Sequence, residues 1–135
     1  NHQKKSVCLD LREASLQINR QIGECKDADA IEIYNYEINC QDLFVTLGGK
    51  GAMYTNGQSI ERHRVIKSQI VDTIGAGDTF FSFASLMSHL NIETTNKLTI
   101  PSLAASLSTT WLCNEESVTK EKLINYAHQV LQSGL

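Results

Sequence analysis

The sequence predicts an α/β layered fold with a mainly parallel sheet. Two observations support this prediction. Short apolar runs alternate with helix-like segments early and late in the chain, and a β-hairpin pattern interrupts the middle. With 135 residues, 41% of them hydrophobic, the chain has the length and the apolar content of one domain.

Composition argues against several classes of protein. The net charge of −3 lacks the basic surface that nucleic-acid binding needs, and no apolar run is long enough to span a membrane. The four cysteines form no C-x-x-C pair, which disfavours a zinc or thioredoxin-type site and favours reduced thiols in the cytoplasm. Residue 1 is Asn rather than Met, so we expect either part of a longer protein or a processed N terminus, without a targeting segment.

The first third of the chain contains three predicted strands and one predicted helix. Residues 6–11 form an apolar run typical of a buried strand, and residues 12–24 have the spacing of a helix. Residues 30–36 (AIEIYNY) alternate isoleucine with glutamate, which predicts a second strand. The polar residues 39–42 predict a loop, and the run LFVTL of residues 43–47 predicts the next strand.

A hairpin and a helix are predicted in the middle of the chain. Residues 52–55 and 58–65 are strand-like and flank Asn56-Gly57, a pair that tolerates the positive φ angles of a type I′ turn. Residues 76–90 predict a helix with a broad apolar face that packs on the sheet. That face contains Phe80, Phe83, Ala84, Met87 and Leu90, widened by Phe81 and Leu86.

Two further helices are predicted toward the C-terminal end. Pro101, the only proline, suits the first turn of a helix that runs to about Leu112. Thr119 can cap a last helix that Gly134 ends. Its predicted apolar face contains Leu123, Ile124, Ala127, Val130 and Leu131.

A glycine-containing turn precedes the helix of residues 76–90. Gly75 and Gly77 allow a sharp turn, so that the amides of Gly75, Ala76 and Gly77 at the helix N terminus can attract an anion. Asp78 falls in the first turn of that helix. Its carboxylate either stabilises the helix dipole or takes a proton from a hydroxyl nucleophile that attacks a phosphoryl group.

A second glycine cluster, TLGGKG, follows the predicted strand that ends near residue 47. It matches neither the P-loop nor the G-x-G-x-x-G spacing. The glycines either form a tight connection or let Thr46, Gly48 and Gly51 approach nucleotide phosphates. Lys50 either neutralises charge nearby or is a solvated loop lysine.

These two segments resemble a known family. Residues 71–80 (VDTIGAGDTF) resemble the C-terminal signature of the ribokinase-like, phosphofructokinase-B-type carbohydrate kinases, and residues 45–52 (VTLGGKGA) resemble that family's upstream nucleotide motif. The resemblance covers roughly residues 6–133, but only about the C-terminal half of a usual member. It implies a three-layer, ribokinase-like (Rossmann-like) partial domain, with residues 1–135 as the C-terminal ATP-binding and catalytic portion.

The resemblance implies ATP-dependent phosphoryl transfer to a sugar hydroxyl. Asp78 would be the general base, and the amides of Gly75, Ala76 and Gly77 would form the anion hole. The implied cofactors are ATP, Mg²⁺ and, as in some members, a monovalent cation such as K⁺. Members usually organise Mg²⁺ with an Asn-x-x-Glu motif, whereas Asn35-Tyr36-Glu37 has a different spacing in this chain.

The resemblance also implies nucleotide and cation contacts. Thr46, Gly48 and Gly51 would lie beside the ATP phosphates, and Asp72 would bind the monovalent cation, with an organising role in the turn as the alternative. Ser102 lies in a segment that resembles the lining of the adenine pocket, at a position where members often carry Asn.

Alternatives remain open for the function and the partners. The chain could be a nucleotide- or phosphate-binding module without catalysis, or its acceptor could be a nucleoside or another alcohol. The expected partner is a small-molecule sugar, with no nucleic acid and no membrane. The protein partner would be either a second copy in a homodimer or the missing N-terminal segment.

Overall fold

The computed structural model describes residues 5–37, 39–66, 73–111 and 117–132. These residues form four strands and five α-helices, with a short 3₁₀ turn at Gly48–Lys50. In chain order the elements are β1 (Lys5–Asp10), α1 (Leu11–Gln17), α2 (Asp27–Tyr36), β2 (Cys40–Thr46), β3 (Ala52–Thr55), β4 (Ile60–His63), α3 (Ala76–Ser88), α4 (Thr94–Ser108) and α5 (Lys120–Gln132).

The four strands form one sheet in the order β1-β2-β3-β4. β1 and β2 are parallel, with Asp10 opposite Thr46 where both strands end. The hairpin strands add two antiparallel pairs, β2 with β3 and β3 with β4. The described sheet is therefore mixed rather than mainly parallel, because the hairpin contributes two of its three pairings.

Helices cover both faces of the sheet, which confirms the predicted α/β layering. Alternate residues of β2 point to opposite faces. On one face Leu43 and Val45 pack with Ala14 of α1 and Ile33 of α2. On the other face the ring of Phe44 contacts that of Phe80 in α3, with ring centroids 6.2 Å apart. A third apolar cluster joins α4 to α5 through Leu107, Tyr126 and Val130.

The strand predicted for residues 30–36 is wrong, because this segment belongs to helix α2. The isoleucines do alternate, but the fully buried residues are Ala30 and Ile33, three apart on one helical face. The Asp29 carboxylate accepts the Lys26 backbone N–H at 2.9 Å and satisfies an amide at the start of the helix. The predicted loop at residues 39–42 is also wrong from Cys40 onward, because β2 begins there and buries Asp42.

The hairpin is confirmed, but its turn differs from the predicted type I′ turn. Residues 56–59 connect β3 to β4. Gly57 has a φ of +88°, whereas the φ of Asn56 is not positive. The Asn56 side-chain oxygen instead accepts the backbone N–H groups of Gln58 and Ser59 at 3.0 and 2.9 Å. This side-chain hydrogen bonding replaces the backbone geometry that Asn-Gly usually adopts.

The helix predicted to begin at Pro101 begins earlier, at Thr94. Its first amides, those of Asn96 and Lys97, donate to the Glu93 carbonyl oxygen at 3.0 and 3.2 Å. Pro101 lies buried inside α4, where it removes one helical hydrogen bond. The apolar burial of Pro101 and Leu98 offsets that loss.

The remaining helices agree with the prediction in position and differ in detail. α1 is shorter than predicted and ends at Gln17. α3 buries Phe80, Ala84 and Met87, while Phe81 and Leu86, predicted to widen the apolar face, are exposed. Thr119 caps α5 as predicted, since its hydroxyl accepts the Lys122 backbone N–H at 3.2 Å. α5 buries Tyr126 and Val130, whereas the predicted face residues Ile124 and Leu131 are exposed.

Candidate active site

The glycine-rich turn follows β2 directly. Thr46 is the last residue of β2, and the Leu47 N–H donates to the Gly51 carbonyl oxygen at 2.8 Å to close the turn. The backbone at Gly48, with a φ of +59°, and at Gly49 is exposed, and no atom lies where a Cβ would sit on either residue. A ligand can therefore approach this backbone closely.

Gly51 is a glycine for a different reason. It has a φ of +99°, and a Cβ on it would lie 1.9 Å from the His63 carbonyl oxygen at the end of β4. Its N–H donates to the Gly48 carbonyl oxygen at 3.2 Å. The atom that lies close to Gly51 is thus a backbone oxygen of the chain itself.

The second predicted turn forms the N terminus of α3. Gly75 adopts a left-handed conformation with a φ of +86° and precedes Ala76, the first helical residue. The Ala76 N–H donates to the Thr73 carbonyl oxygen at 3.2 Å. Among the described residues, the N–H groups of Gly75, Gly77 and Asp78 have no acceptor. Of the three predicted anion-hole amides, those of Gly75 and Gly77 are therefore open within the described ranges, and the Ala76 amide is engaged.

The packing of α4 indicates where the N terminus of α3 lies. Near the start of α4, Lys97 contacts Asp42 at the beginning of β2. Residues from the start of α3 and the end of α4, including Gly75 and Ser108, line one cavity. The two helices therefore run antiparallel, as a short αα-hairpin does. The N terminus of α3 therefore lies at the end of the sheet where β2 terminates in Thr46.

Asp78 lines this cavity, which has a volume of about 390 Å³. Its side chain is exposed, and its carboxylate has no hydrogen-bond partner among the described residues. One wall of the cavity comes from α3 and the other from residues beyond its partner helix, including Trp111. The Lys122 ammonium lies 5.1 Å from the centroid of the Trp111 ring system and holds that wall against α5.

Two acidic residues at this end of the sheet were missed as candidate site residues. Asp10 is the last residue of β1 and lies opposite Thr46 in the parallel pair. It forms a capping box with Glu13: the Asp10 carboxylate accepts the Glu13 N–H at 2.7 Å, and the Glu13 carboxylate accepts the Asp10 N–H at 2.8 Å. The sequence signal for them is the Asp-x-x-Glu spacing directly after a strand, which differs from Asn-x-x-Glu only in its first residue.

The free carboxylate oxygens of Asp10 and Glu13 are of the kind that Mg²⁺ prefers. Each carboxylate accepts one backbone N–H, both residues are exposed, and each carboxylate keeps a second oxygen. No cluster of three or more metal-binding side chains occurs within the described ranges. Mg²⁺ does not require one, because it commonly binds one or two carboxylates together with substrate phosphates and water.

Two of the other predicted residues, Ser102 and Lys50, do not line this cavity. The Ser102 hydroxyl lies within α4 and donates to the Leu98 carbonyl oxygen at 2.9 Å. Lys50 is exposed in the glycine-rich turn. Asp72, predicted to bind a monovalent cation, lies outside the described residues.

The thiol of Cys8 lies near the acidic pair without being a nucleophile. Burial, and then the carboxylates of Glu13 and Asp10, raise the pKa of Cys8 to about 12. The thiol therefore stays protonated at neutral pH. Cys25 and Cys40 are also free.

No helix in the part of the chain that the structure describes is both long and apolar enough to cross a membrane.

Comparison with known proteins identifies the family. Residues 7–110 match the model of the pfkB family of carbohydrate kinases. A ribokinase from Lactococcus lactis subsp. lactis (strain IL1403) is 39% identical over 61 residues, which are 43% of this chain and 20% of that ribokinase.

Solved structures agree on the fold. A mutant of phosphofructokinase-2 from Escherichia coli has a TM-score of 0.76 and 20% identity, over 94% of this chain and 41% of that one. The same enzyme in complex with potassium has a TM-score of 0.75 and 19% identity, over 92% and 40%. The chain thus spans about two fifths of the length of these structures. Because the family model matches most of it, the chain belongs to the pfkB family of carbohydrate kinases.

Proposed function

We propose that the whole protein transfers the γ-phosphoryl group of ATP to a sugar hydroxyl, and that residues 1–135 are its C-terminal ATP-binding and catalytic portion. The observation that carries this proposal is the shared position of two turns. The N terminus of α3, with Asp78 beside open amides, lies at the same end of the sheet as the exposed backbone of Gly48. The remaining sugar-binding residues would come from the part of the protein outside this chain.

Asp78 and the open amides would divide the chemistry between them. The Asp78 carboxylate takes the proton from the sugar hydroxyl as that oxygen bonds to the γ-phosphorus and the bond to the β-phosphate oxygen breaks. The N–H groups of Gly75 and Gly77 donate to the oxygens of the transferring group, where negative charge accumulates. The positive end of the α3 dipole adds to this stabilisation.

The glycine-rich turn would hold the nucleotide phosphates. Thr46 ends β2 beside the exposed backbone of Gly48, where a phosphate can approach without meeting a side chain. Lys50 is exposed and can reach the same charge. A monovalent cation at Asp72 is supported by the similar phosphofructokinase-2 structure that contains potassium. The Ser102 hydroxyl donates to Leu98 and keeps its oxygen lone pairs to accept a hydrogen bond from adenine.

Asp10 and Glu13 would hold Mg²⁺. When bound, Mg²⁺ neutralises part of the charge on the ATP phosphates. The capping box orients both carboxylates before any ligand arrives, and Asp10 lies opposite Thr46 in the strand pair. Their free oxygens are the hard ligands that this ion prefers.

Replacing Glu13 with Gln is expected to raise the Mg²⁺ concentration for half-maximal activity by at least about tenfold. Gln is also accepted at this position of a capping box, so that the start of α1 is kept while the negative charge is lost. The measurement is a Mg²⁺ titration of activity in the whole protein, with calorimetry of Mg²⁺ binding in the presence of ATP.

Glu24→Gln is the matched control for Glu13→Gln, because Glu24 is an exposed carboxylate outside the proposed Mg²⁺ site. We expect its Mg²⁺ requirement to equal that of the wild type. An unchanged requirement in Glu13→Gln would leave Glu13 with helix capping alone.

The proposed function is tested by incubating the whole protein with ATP, Mg²⁺ and a panel of sugars and nucleosides. We expect a phosphorylated sugar, detected by mass spectrometry, together with ADP in equal amount. ATP binding by calorimetry without transfer to any acceptor would instead favour a non-catalytic nucleotide-binding module. Transfer to a nucleoside alone would keep the chemistry and change the acceptor.

A further inference from the structure

A buried ion pair lies at the end of the sheet where β2 begins. The candidate active site lies at the other end, where β2 terminates. Asp42, near the start of β2, is 1% exposed, and its carboxylate lies 3.3 Å from the Lys97 ammonium of α4. The same carboxylate accepts hydrogen bonds from the hydroxyls of Tyr54 and Ser6. Both carboxylate oxygens therefore have donors, and the charge of Lys97 is balanced.

Net stability is a poor explanation for this pair. Moving both charges out of water costs several kcal/mol per ion, and an apolar pair of the same size is often as stable or more so. A buried ion pair can instead select one packing arrangement among several of similar energy. The sequence of α4 indicates why such a selection is needed.

α4 has apolar residues on two opposite sides. Leu98 and Ala105 pack against the β2–β3 face and α3, while Leu103 and Leu107 pack with α5. The spacing places each pair on one side of the helix, with the two sides roughly half a turn apart. The buried line between these two sides consists of Lys97, Pro101, Ala104 and Ser108 and offers little apolar area to the sheet. A rotation of α4 toward either apolar side would therefore lose little apolar burial, and the hydrophobic pattern alone does not specify the observed setting.

We propose that the Lys97–Asp42 ion pair sets the rotation of α4 on the sheet, and thereby positions the cavity wall formed by Ser108 and Trp111 opposite Asp78. Lys97 heads the line of buried residues that continues through Pro101, Ala104 and Ser108. The observed rotation brings the ammonium to Asp42, and a setting without this contact would leave a buried carboxylate without its counter-charge. Lys97 is thus a positioning residue. The inference concerns packing and does not depend on the proposed phosphoryl transfer.

The test compares the whole protein with its double variant Asp42→Asn/Lys97→Met, each in a background that keeps Trp111 as its only tryptophan. Asn keeps an oxygen for the Tyr54 hydroxyl and Met keeps the length of Lys97, so that the charges are removed with little change in volume. Trp111, the only tryptophan in residues 1–135, reports on the cavity end of α4. The matched control neutralises two exposed residues on the far side of the sheet, Glu24→Gln/Lys26→Met.

We expect the double variant to keep a urea midpoint near that of the wild type. Its Trp111 emission shifts to the red, acrylamide quenching increases, and amide exchange in α4 becomes at least about tenfold faster, the equivalent of ~1.4 kcal/mol. The control double variant keeps the wild-type values. Lys97→Met alone lowers the midpoint, because it leaves the Asp42 charge uncompensated.

Three results would overturn the inference. The first is a folded double variant with unchanged Trp111 emission, quenching and exchange. The second is a double variant that does not fold, since the pair would then be required for stability rather than for orientation. The third comes from Lys97→Arg, which keeps the charge pair and is expected to keep the Trp111 spectrum. A red shift of the Trp111 emission in Lys97→Arg as large as that of the neutral double variant would show that side-chain shape, not charge, positions α4.

Discussion

Asp78→Asn is expected to lower kcat of the whole kinase by about 10²–10⁴-fold, the usual contribution of a general base. Asn has nearly the same size but cannot take the proton of the sugar hydroxyl. ATP affinity should change little, because the candidate phosphate contacts are the backbone at Gly48 and the amides at the start of α3. The measurement is a steady-state assay at saturating ATP with a separate calorimetric titration of ATP.

A helix-stabilising role for Asp78 must be separated from this catalytic role. Glu121 is an exposed acid in the first turn of α5, and Glu121→Gln removes a comparable charge at a helix N terminus. Each substitution should cost ~0.3–1 kcal/mol of stability through the helix dipole. Only Asp78→Asn should abolish turnover. Near-normal kcat in Asp78→Asn would leave Asp78 with the dipole role alone.

Gly51→Ala is expected to destabilise the fold severely or to prevent folding. The positive φ alone costs ~1–3 kcal/mol, and the new methyl group would lie 1.9 Å from the backbone oxygen of His63. Relief of that overlap requires β4 to move away from β3, where Ala52 pairs with His63. Urea unfolding of the variant, followed by circular dichroism, measures the loss.

Gly49→Ala is the matched control in the same turn. A methyl group added at Gly49 would have no atom within 4 Å, and the residue does not have a positive φ. The substitution should leave stability unchanged or raise it by up to ~1 kcal/mol, because alanine restricts the unfolded chain. Equal stability of Gly51→Ala and Gly49→Ala would mean that the close contact with His63 does not limit the fold, and Gly51 would then return to a role in nucleotide binding alone.

The fold was predictable where local patterns agree with the tertiary environment. The strands around Val7, Val45 and Met53 and the helix around Ala84 combine strong apolar patterns with clear turn residues. Residues 30–36 were mispredicted because isoleucine and glutamate alternate there by chance, and a strand pattern of that length also fits part of a helix. The start of α4 was mispredicted because burial outweighs the local effect of Pro101.

Local sequence was sufficient to specify the two glycine turns and the position of Asp78 in the first turn of α3, because left-handed backbone and helix starts depend on neighbouring residues. Three-dimensional packing was needed to establish which amides are open, that Gly51 faces the His63 backbone, and that Asp10 lies beside Thr46. The pairing of Asp42 with Lys97 joins residues 55 positions apart. Contacts of this kind depend on how strands and helices pack, and no short pattern in the chain specifies them.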